Sequence, residues 1–318
     1  MLLPIAILAA GLVLLVWSAE RFVSGAAVTA TNLGVSNLII GLTIVSIGTS
    51  APEILVAISA SLEAAPKLAI GNAIGSNIAN IGLVLGITAI AAQLPFSQEI
   101  LKNEVRWLIG ATLLAFFCLV NLFLGFMDGL FLLVGLGLIL YLMFNKQSSK
   151  PQSQGIASRD FADIPSMPTH KGVLWLILGL LLLLISAQVV TKAAVEIANQ
   201  LGVDELIIGL TVVAIGTSLP ELAASVTAAV KGHAEIAIGN VIGSNILNIL
   251  AVLAVPALMH PIAIDSIVLW RDYGVMTLLT FILVVFAHWR GAISRLEGAL
   301  MFGIWIVYNA VLYIQASA

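Results

Sequence analysis

Charge is what this sequence has least of. Only 9% of its 318 residues are Asp, Glu, Lys or Arg, against 61% apolar. A soluble domain carries about 25% charged residues, so that class is excluded. The mean hydropathy of +1.14 agrees. The single cysteine, Cys118, lies in an apolar run, which excludes an internal disulfide framework and a cysteine-based metal site. His170, His233, His260 and His288 fall in loops or at the ends of apolar runs, and none is spaced with another as a metal pair. Short alternating segments of about 10 residues, the mark of a transmembrane barrel, are absent. A net charge of only −3 says little about partners, and the expected surroundings are a lipid bilayer, with no nucleic acid. The N-terminal "MLLPIAILAAGLVLLVWSAERF" lacks a basic leader and a small-x-small cleavage site, so it reads as a membrane span.

Apolar runs fill the chain instead. Ten candidate spans lie at about 3–31, 38–62, 68–93, 104–123, 127–144, 172–200, 206–230, 236–259, 268–287 and 296–315. Each approaches or exceeds the roughly 20 residues that cross a bilayer as a helix. The first and sixth are long enough to tilt strongly or project. One polar linker, 146–171, separates the fifth from the sixth and is too short for a folded domain.

The halves on either side of it repeat. A shift of 168 lays 41–81 over 209–249 without a gap, with 22 of 41 positions identical. Five spans per repeat is an odd number, so the second copy must insert upside down. The expected fold is an all-α integral membrane protein of ten transmembrane helices, built as two inverted five-helix repeats, 1–145 and 172–318. With both termini outside, the inner loops collect Lys102, Arg106, Lys146, Lys150, Arg159, Lys171, Lys231, Arg290 and Arg295, while Lys67 and Arg271 remain outside. That bias places the linker in the cytoplasm and the chain in the cell (inner) membrane.

Two carboxylates interrupt the apolar runs. Glu53 is the only charge in 38–62, and Glu221 the only one in 206–230. A carboxylate near mid-membrane costs about 2.5–3.5 kcal/mol on insertion scales, so it normally marks a pathway or a site. Each follows a proline, in "GTSAPE" at 48 and "GTSLPE" at 216. Both also read S-x-x-E, which alone would be a capping box restarting a broken helix. That alternative leaves unexplained why the break lies mid-bilayer, where loose backbone needs a partner or a cavity.

Pro52 and Pro220 lack the N–H owed to the carbonyls of Gly48 and Gly216. Carbonyls of the preceding turn, including those of Ser46 and Ala214, can then tilt toward a ligand. Together with the hydroxyls of Thr49, Ser50, Thr217 and Ser218 they form an all-oxygen set that suits Ca²⁺ or Na⁺. Missing nitrogen and sulfur ligands argue against zinc or copper.

The partner motifs are "GNAIGSNIANI" at 71 and "GNVIGSNILNI" at 239. Asn72, Ser76 and Asn80 share one helical face, and Asn240, Ser244 and Asn248 repeat it. Gly71, Gly75, Gly239 and Gly243 would let another backbone approach. Helix packing through small residues and amide bonds is the competing reading. Asp272 and Glu104, equivalent under the shift, read as boundary charges.

At these motifs the sequence resembles the cation/Ca²⁺ exchanger superfamily, in its compact prokaryotic sodium/calcium exchanger-like branch. The doubled "GTSxPE" and "GNxIGSNIxNI" are similar to its two alpha-repeats. The resemblance implies a secondary-active antiporter, not an enzyme. It would exchange Na⁺ for Ca²⁺ without a cofactor; separately, an energy balance over a ten-thousandfold Ca²⁺ gradient, a tenfold Na⁺ gradient and about 100 mV favours an electrogenic 3 Na⁺ to 1 Ca²⁺. Glu53 and Glu221 would be the central ligands, helped by Thr49, Ser50, Thr217, Ser218, Ser76 and Ser244. The carbonyls of Ser46 and Ala214 and the amides of Asn80 and Asn248 would complete the cation sites. Some relatives carry Asp at one of those Asn positions, which opens H⁺ or K⁺ as coupling ions. A cation/proton exchanger is the nearer alternative and an intramembrane two-carboxylate enzyme the remoter one. A monomer could hold the whole pathway.

Overall fold

The computed structural model describes residues 2–147, 167–202 and 214–317. Most of linker 146–171 and the start of the expected span 206–230 therefore lie outside the described residues. The helices are α1 (Leu2–Leu33), α2 (Asn37–Thr49), α3 (Ala51–Leu62), α4 (Pro66–Ala91), α5 (Glu104–Leu119) and α6 (Phe126–Gln147), then α7 (Thr169–Gln200), α8 (Leu219–Val230), α9 (Ala234–Met259), α10 (Val268–Arg290) and α11 (Arg295–Ser317). Short helical pieces at Gln98–Lys102 and Ala214–Thr217 join them.

Among the described residues seven helices are long and apolar enough to cross a membrane, or eight if α2 and α3 form one span bent by 44°. Ten were expected. Of the other two, 104–123 became the 16-residue α5, and 206–230 is seen only from Ala214 onward. Local chemistry explains the ends. Pro66 opens α4, where a missing N–H breaks no intrahelical bond. Gly291, at φ +62°, ends α10 in the left-handed region that a side chain disfavours.

The helices sort into a core and a rim. Over their apolar stretches α4 and α9 are 83% buried, while α1 and α7 are 28% and 33% buried and α11 only 11%. The two motif helices thus occupy the centre, and greasy residues such as Val13, Leu55, Phe131 and Val307 cover the outside.

α1 and α7 occupy equivalent places in the two repeats, and they run antiparallel. A Cβ on Gly11 would meet Val190, one on Gly25 would meet Leu176, and Gly172 lies against Val28. Numbers rise along one helix as they fall along the other. Ser18 and Ser186, exactly one repeat apart in sequence, place their hydroxyls 3.4 Å from each other. A residue that touches its own equivalent lies on a two-fold axis. At 32 residues each helix is about 48 Å long, well beyond a hydrocarbon core of about 30 Å.

Two small antiparallel pairings tie the repeats together. β1 (Leu94–Pro95) pairs with β4 (Ala292–Ile293), and β2 (Phe123–Leu124) pairs with β3 (Ile262–Ala263). Each joins a connection in one half to a connection in the other.

The α1–α7 seam gives a stability prediction. A Cβ on Gly25 would sit 2.4 Å from the Leu176 backbone nitrogen, and one on Gly179 2.5 Å from that of Phe22. Backbone cannot swing aside, so Gly25→Ala and Gly179→Ala should each destabilise by about 1–3 kcal/mol. Gly137→Ala, with open space around it, should not. Thermal unfolding in detergent compares the three.

Candidate functional site

The two proline motifs meet at the centre. Ser50 and Ser218 are the residues at which the helices break, at φ −81°, ψ 7° and φ −89°, ψ 3°. Both lie in the sparsely populated bridge region between helix and strand. Pro52 and Pro220 then fall in the first turn of α3 and α8, so they start new helices instead of kinking old ones.

A capping box would turn each serine hydroxyl back onto its own helix, and neither does so. Ser50 Oγ instead donates across the repeat boundary to Glu221 Oε1, at 3.1 Å. Thr49 Oγ1 also crosses, donating to Asn240 Oδ1 at 3.0 Å. The Asn240 amide in turn donates to Ser225 Oγ at 2.9 Å and to the Glu221 carbonyl at 3.4 Å. Asn72 makes the equivalent bond to the Glu53 carbonyl at 3.2 Å. Both asparagines therefore brace the backbone of a glutamate.

Glu53, Glu221, Thr49, Ser50, Ser218, Ser76, Ser244, Asn80 and Asn248 are all buried. Several carry atoms with no protein hydrogen-bond partner: Glu53 Oε2, Glu221 Oε2, Ser218 Oγ, Ser244 Oγ, and both amide atoms of Asn80 and Asn248. An unsatisfied buried polar group costs about 1–3 kcal/mol, and native proteins keep few of them. Here they concentrate on the residues that the repeated motifs single out. Among the described residues no group of three or more His, Cys, Asp or Glu comes together. The donor set is thus two carboxylates among neutral oxygens, suited to a hard cation.

Asn80 and Asn248 also open π-helical turns, Asn80–Leu85 and Asn248–Val252. The Leu253 N–H reaches back five residues to the Asn248 carbonyl at 3.0 Å. Such widened turns occur often at functional sites. Nothing in the apolar run after either asparagine signals them.

A cavity of about 390 Å³ reaches this centre from one side. Buried Ser76 and Ser218 line it together with Thr217, as do the charged Lys67, Asp265, Arg271 and Asp272. Lys67 pairs with Asp265 at 3.0 Å, and Arg271 with Asp272 at 2.6 Å.

Comparison with known proteins decides the identity. The profile of the sodium/calcium exchanger protein family matches residues 3–145 and 171–314. The chain belongs to the sodium/calcium exchanger family. It is 44% identical to CaxA of Alkalimonas amylolytica, over 95% of this chain and 96% of that one. It is 32% identical to the sodium/calcium exchanger MaX1 of Methanosarcina acetivorans, over 96% and 97%. The solved structure of the sodium-calcium exchanger NCX_Mj superposes with a TM-score of 0.84 at 34% identity, covering 98% of this chain and 99% of that one. This exchanger is accordingly a multi-pass membrane transporter of Na⁺ and Ca²⁺ that needs no cofactor, and the intramembrane enzyme is set aside.

Three expectations for the exchanger's residues need correction. The Ser46 carbonyl is not freed: it accepts the Ser50 N–H at 2.9 Å and the Thr49 hydroxyl at 3.4 Å, because the break falls at Ser50, one turn later. The second repeat differs, for the Ser218 N–H goes to Ile215, one residue beyond Ala214, at 3.1 Å. Second, a Cβ on Gly239 would lie 2.6 Å from the Leu38 carbonyl oxygen and one on Gly243 2.5 Å from that of Leu42, so backbone approaches closely there, whereas no described residue comes within 4 Å of a Cβ on Gly71 or Gly75. Third, the charges read as lying at a boundary, Asp272 and Glu104, are both withdrawn from the protein surface. Asp272 is buried beside the cavity, where Tyr308 also donates to it at 2.9 Å.

A buried amide without partners can be tested as such. Asn248→Leu removes two unsatisfied atoms at similar volume, so ion-free protein should melt a few degrees higher. Stabilisation by added Ca²⁺, followed in the same melts, should shrink. A lower midpoint would show that the amide supports the fold.

Proposed function

We propose that the chain is a secondary-active antiporter that exchanges Na⁺ for Ca²⁺ by alternating access, three Na⁺ for each Ca²⁺. The observation that carries this reading is the set of unpartnered oxygens of Glu53, Glu221, Ser218, Ser244, Asn80 and Asn248, buried where the repeats meet, with a cavity that Ser76 and Ser218 line beside them. Thr49, Ser50, Thr217, Ser76 and the backbone of Ala214 complete the cage. It would hold one Ca²⁺ or a set of Na⁺ ions, never both. Mutual exclusion couples the two fluxes.

The closed side agrees with alternating access. α2 seals against α9 through Gly239 and Gly243, while the repeat-equivalent Gly71 and Gly75 border the open cavity. Exchanging those roles would open the opposite side. The long antiparallel α1 and α7 would slide across the core as this happens. We place two inverted five-helix repeats at 1–145 and 172–318, ten crossings in all, with both termini outside and linker 146–171 in the cytoplasm. One chain contains both halves of the cage, so a monomer suffices.

Energetics select the stoichiometry. Moving Ca²⁺ up a ten-thousandfold gradient costs about 5.5 kcal/mol, and its two charges against 100 mV about 4.6 more. Each Na⁺ falling through a tenfold gradient and the same potential releases about 3.7 kcal/mol. Two ions fall short at about 7.4, and three suffice at about 11.

Reconstituted vesicles should therefore take up ⁴⁵Ca²⁺ in response to an outward Na⁺ gradient, with net charge movement. Uptake that ignores Na⁺ and follows a pH gradient instead would identify the proton-coupled alternative. Glu53→Gln or Glu221→Gln should lower Ca²⁺-dependent exchange at least a hundredfold in folded protein. Full exchange in both variants would displace the site.

A further inference from the structure

The two asparagines that brace the glutamates are related by the repeat, but their surroundings are not equivalent. Asn240, fully buried, uses its whole amide: Oδ1 accepts from Thr49, and Nδ2 donates to the Glu221 carbonyl and to Ser225 Oγ. This chain of bonds lies on the sealed side, where Gly239 and Gly243 press on α2. Asn72 makes the matching bond to the Glu53 carbonyl, beside the open cavity. The position that matches Ser225 under the 168 shift is Ala57, also fully buried. If the two sides exchanged roles, Asn72 would enter the sealed environment with no hydroxyl at position 57 to accept its second N–H. A buried donor without an acceptor disfavours the state that contains it.

We propose that Ser225 is a positioning residue that biases the access equilibrium toward the state with the Thr49–Asn240 side sealed and the cavity side open. It acts through Asn240, which ties α2 to α9, and it need not touch a transported ion. The inference rests on alternating access as proposed above, but not on which ions are carried. Two equivalent half-sites would be balanced by symmetry alone. One hydroxyl, present at position 225 of α8 and absent from the matching position 57 of α3, is a difference that shifts that balance.

The test needs a reporter on the sealed side. Val268 lines the open cavity, and its repeat equivalent, Ile100, is fully buried. In a Cys118→Ala background, the thiol of Ile100→Cys should react with a membrane-impermeant maleimide only when that side opens. Adding Ser225→Ala should raise this reaction rate about fivefold, the effect of one buried hydrogen bond on a two-state ratio. Ala57→Ser, which supplies the missing hydroxyl, should raise it by a similar factor, and Ser225→Thr should restore the parental rate. The thiol of Val268→Cys should not become faster in any of these variants, whereas general loosening would speed both reporters. An unchanged Ile100→Cys rate in folded Ser225→Ala protein, or a slower one with Ala57→Ser, overturns the proposal. Should Ser225→Ala fail to fold, the Ala57→Ser arm decides alone. Sodium-driven flux in the same vesicles is read in parallel. Its loss in the parent, with the labelling pattern intact, would fail the ion assignment and spare the bias.

Discussion

Two carboxylates buried in an apolar bundle are the constraint on which the rest of this structure depends. Neither Glu53 nor Glu221 has a lysine or arginine ion-paired with it among the described residues. An uncompensated charge in low dielectric is costly, so the fold must supply dipoles, a cation, or a proton. It supplies dipoles from the opposite repeat. Ser50 from one half reaches the Glu221 carboxylate of the other, and neutral oxygens gather around the remaining lone pairs. The proline breaks follow from the same need. A continuous helix would direct its hydroxyls and carbonyls along its own axis, whereas an interrupted one can aim them inward.

Symmetry explains how so few residue types suffice. The repeat operator brings Ser18 onto Ser186 and sets the proline motifs face to face, so each motif is used twice, from opposite directions. The glycines show what symmetry leaves free. Gly239 and Gly243 are pressed against backbone, while Gly71 and Gly75, identical in sequence, line the cavity with no described residue within 4 Å of a Cβ built on them. The same local sequence thus serves a packed seam in one half and a cavity wall in the other. A small-residue seam suits either role, since close backbone contact can form on either side without displacing bulky side chains.

Much of this was legible before any coordinates. Hydropathy located the long apolar helices, of which seven or eight among the described residues are long enough to cross a membrane, the 168-residue offset revealed the repeat, and the lone glutamates inside apolar runs marked the centre. What stayed hidden has a common physical character. The partner of Ser50 could not be read, because S-x-x-E satisfies a local capping rule equally well, and only the three-dimensional approach of the two repeats decides between them. The π-helical turns at Asn80 and Asn248 leave no trace in residue type. The Ser46 carbonyl was misjudged by one turn, because proline at the second position of a helix sets its start downstream of the break. Asp272 passed for a boundary charge because it follows Arg271 and opens an apolar run. Its partner Tyr308, which donates to it in the fold, lies 36 residues away in sequence. Ser225 was invisible for a similar reason: a lone serine in a small-residue helix acquires meaning only beside Asn240.

The unsatisfied groups also constrain how the ion-free protein holds together. Each buried oxygen or amide without a partner lowers stability by about 1–3 kcal/mol, and several sit within one centre. The offset comes from elsewhere, from the α1–α7 seam and from α4 and α9, whose apolar faces are almost wholly buried. Cations entering the cage would return the missing interactions, so occupancy and stability are linked: any ion that binds the folded state alone must stabilise it in proportion to its affinity. A transporter cannot let that stabilisation grow too large in one conformation, because a deep well would hold the cargo and stop the cycle. Two formal charges among neutral oxygens fit that requirement. As proposed ligands, they would replace part of the hydration of Ca²⁺ and still leave room for several Na⁺ ions in its place.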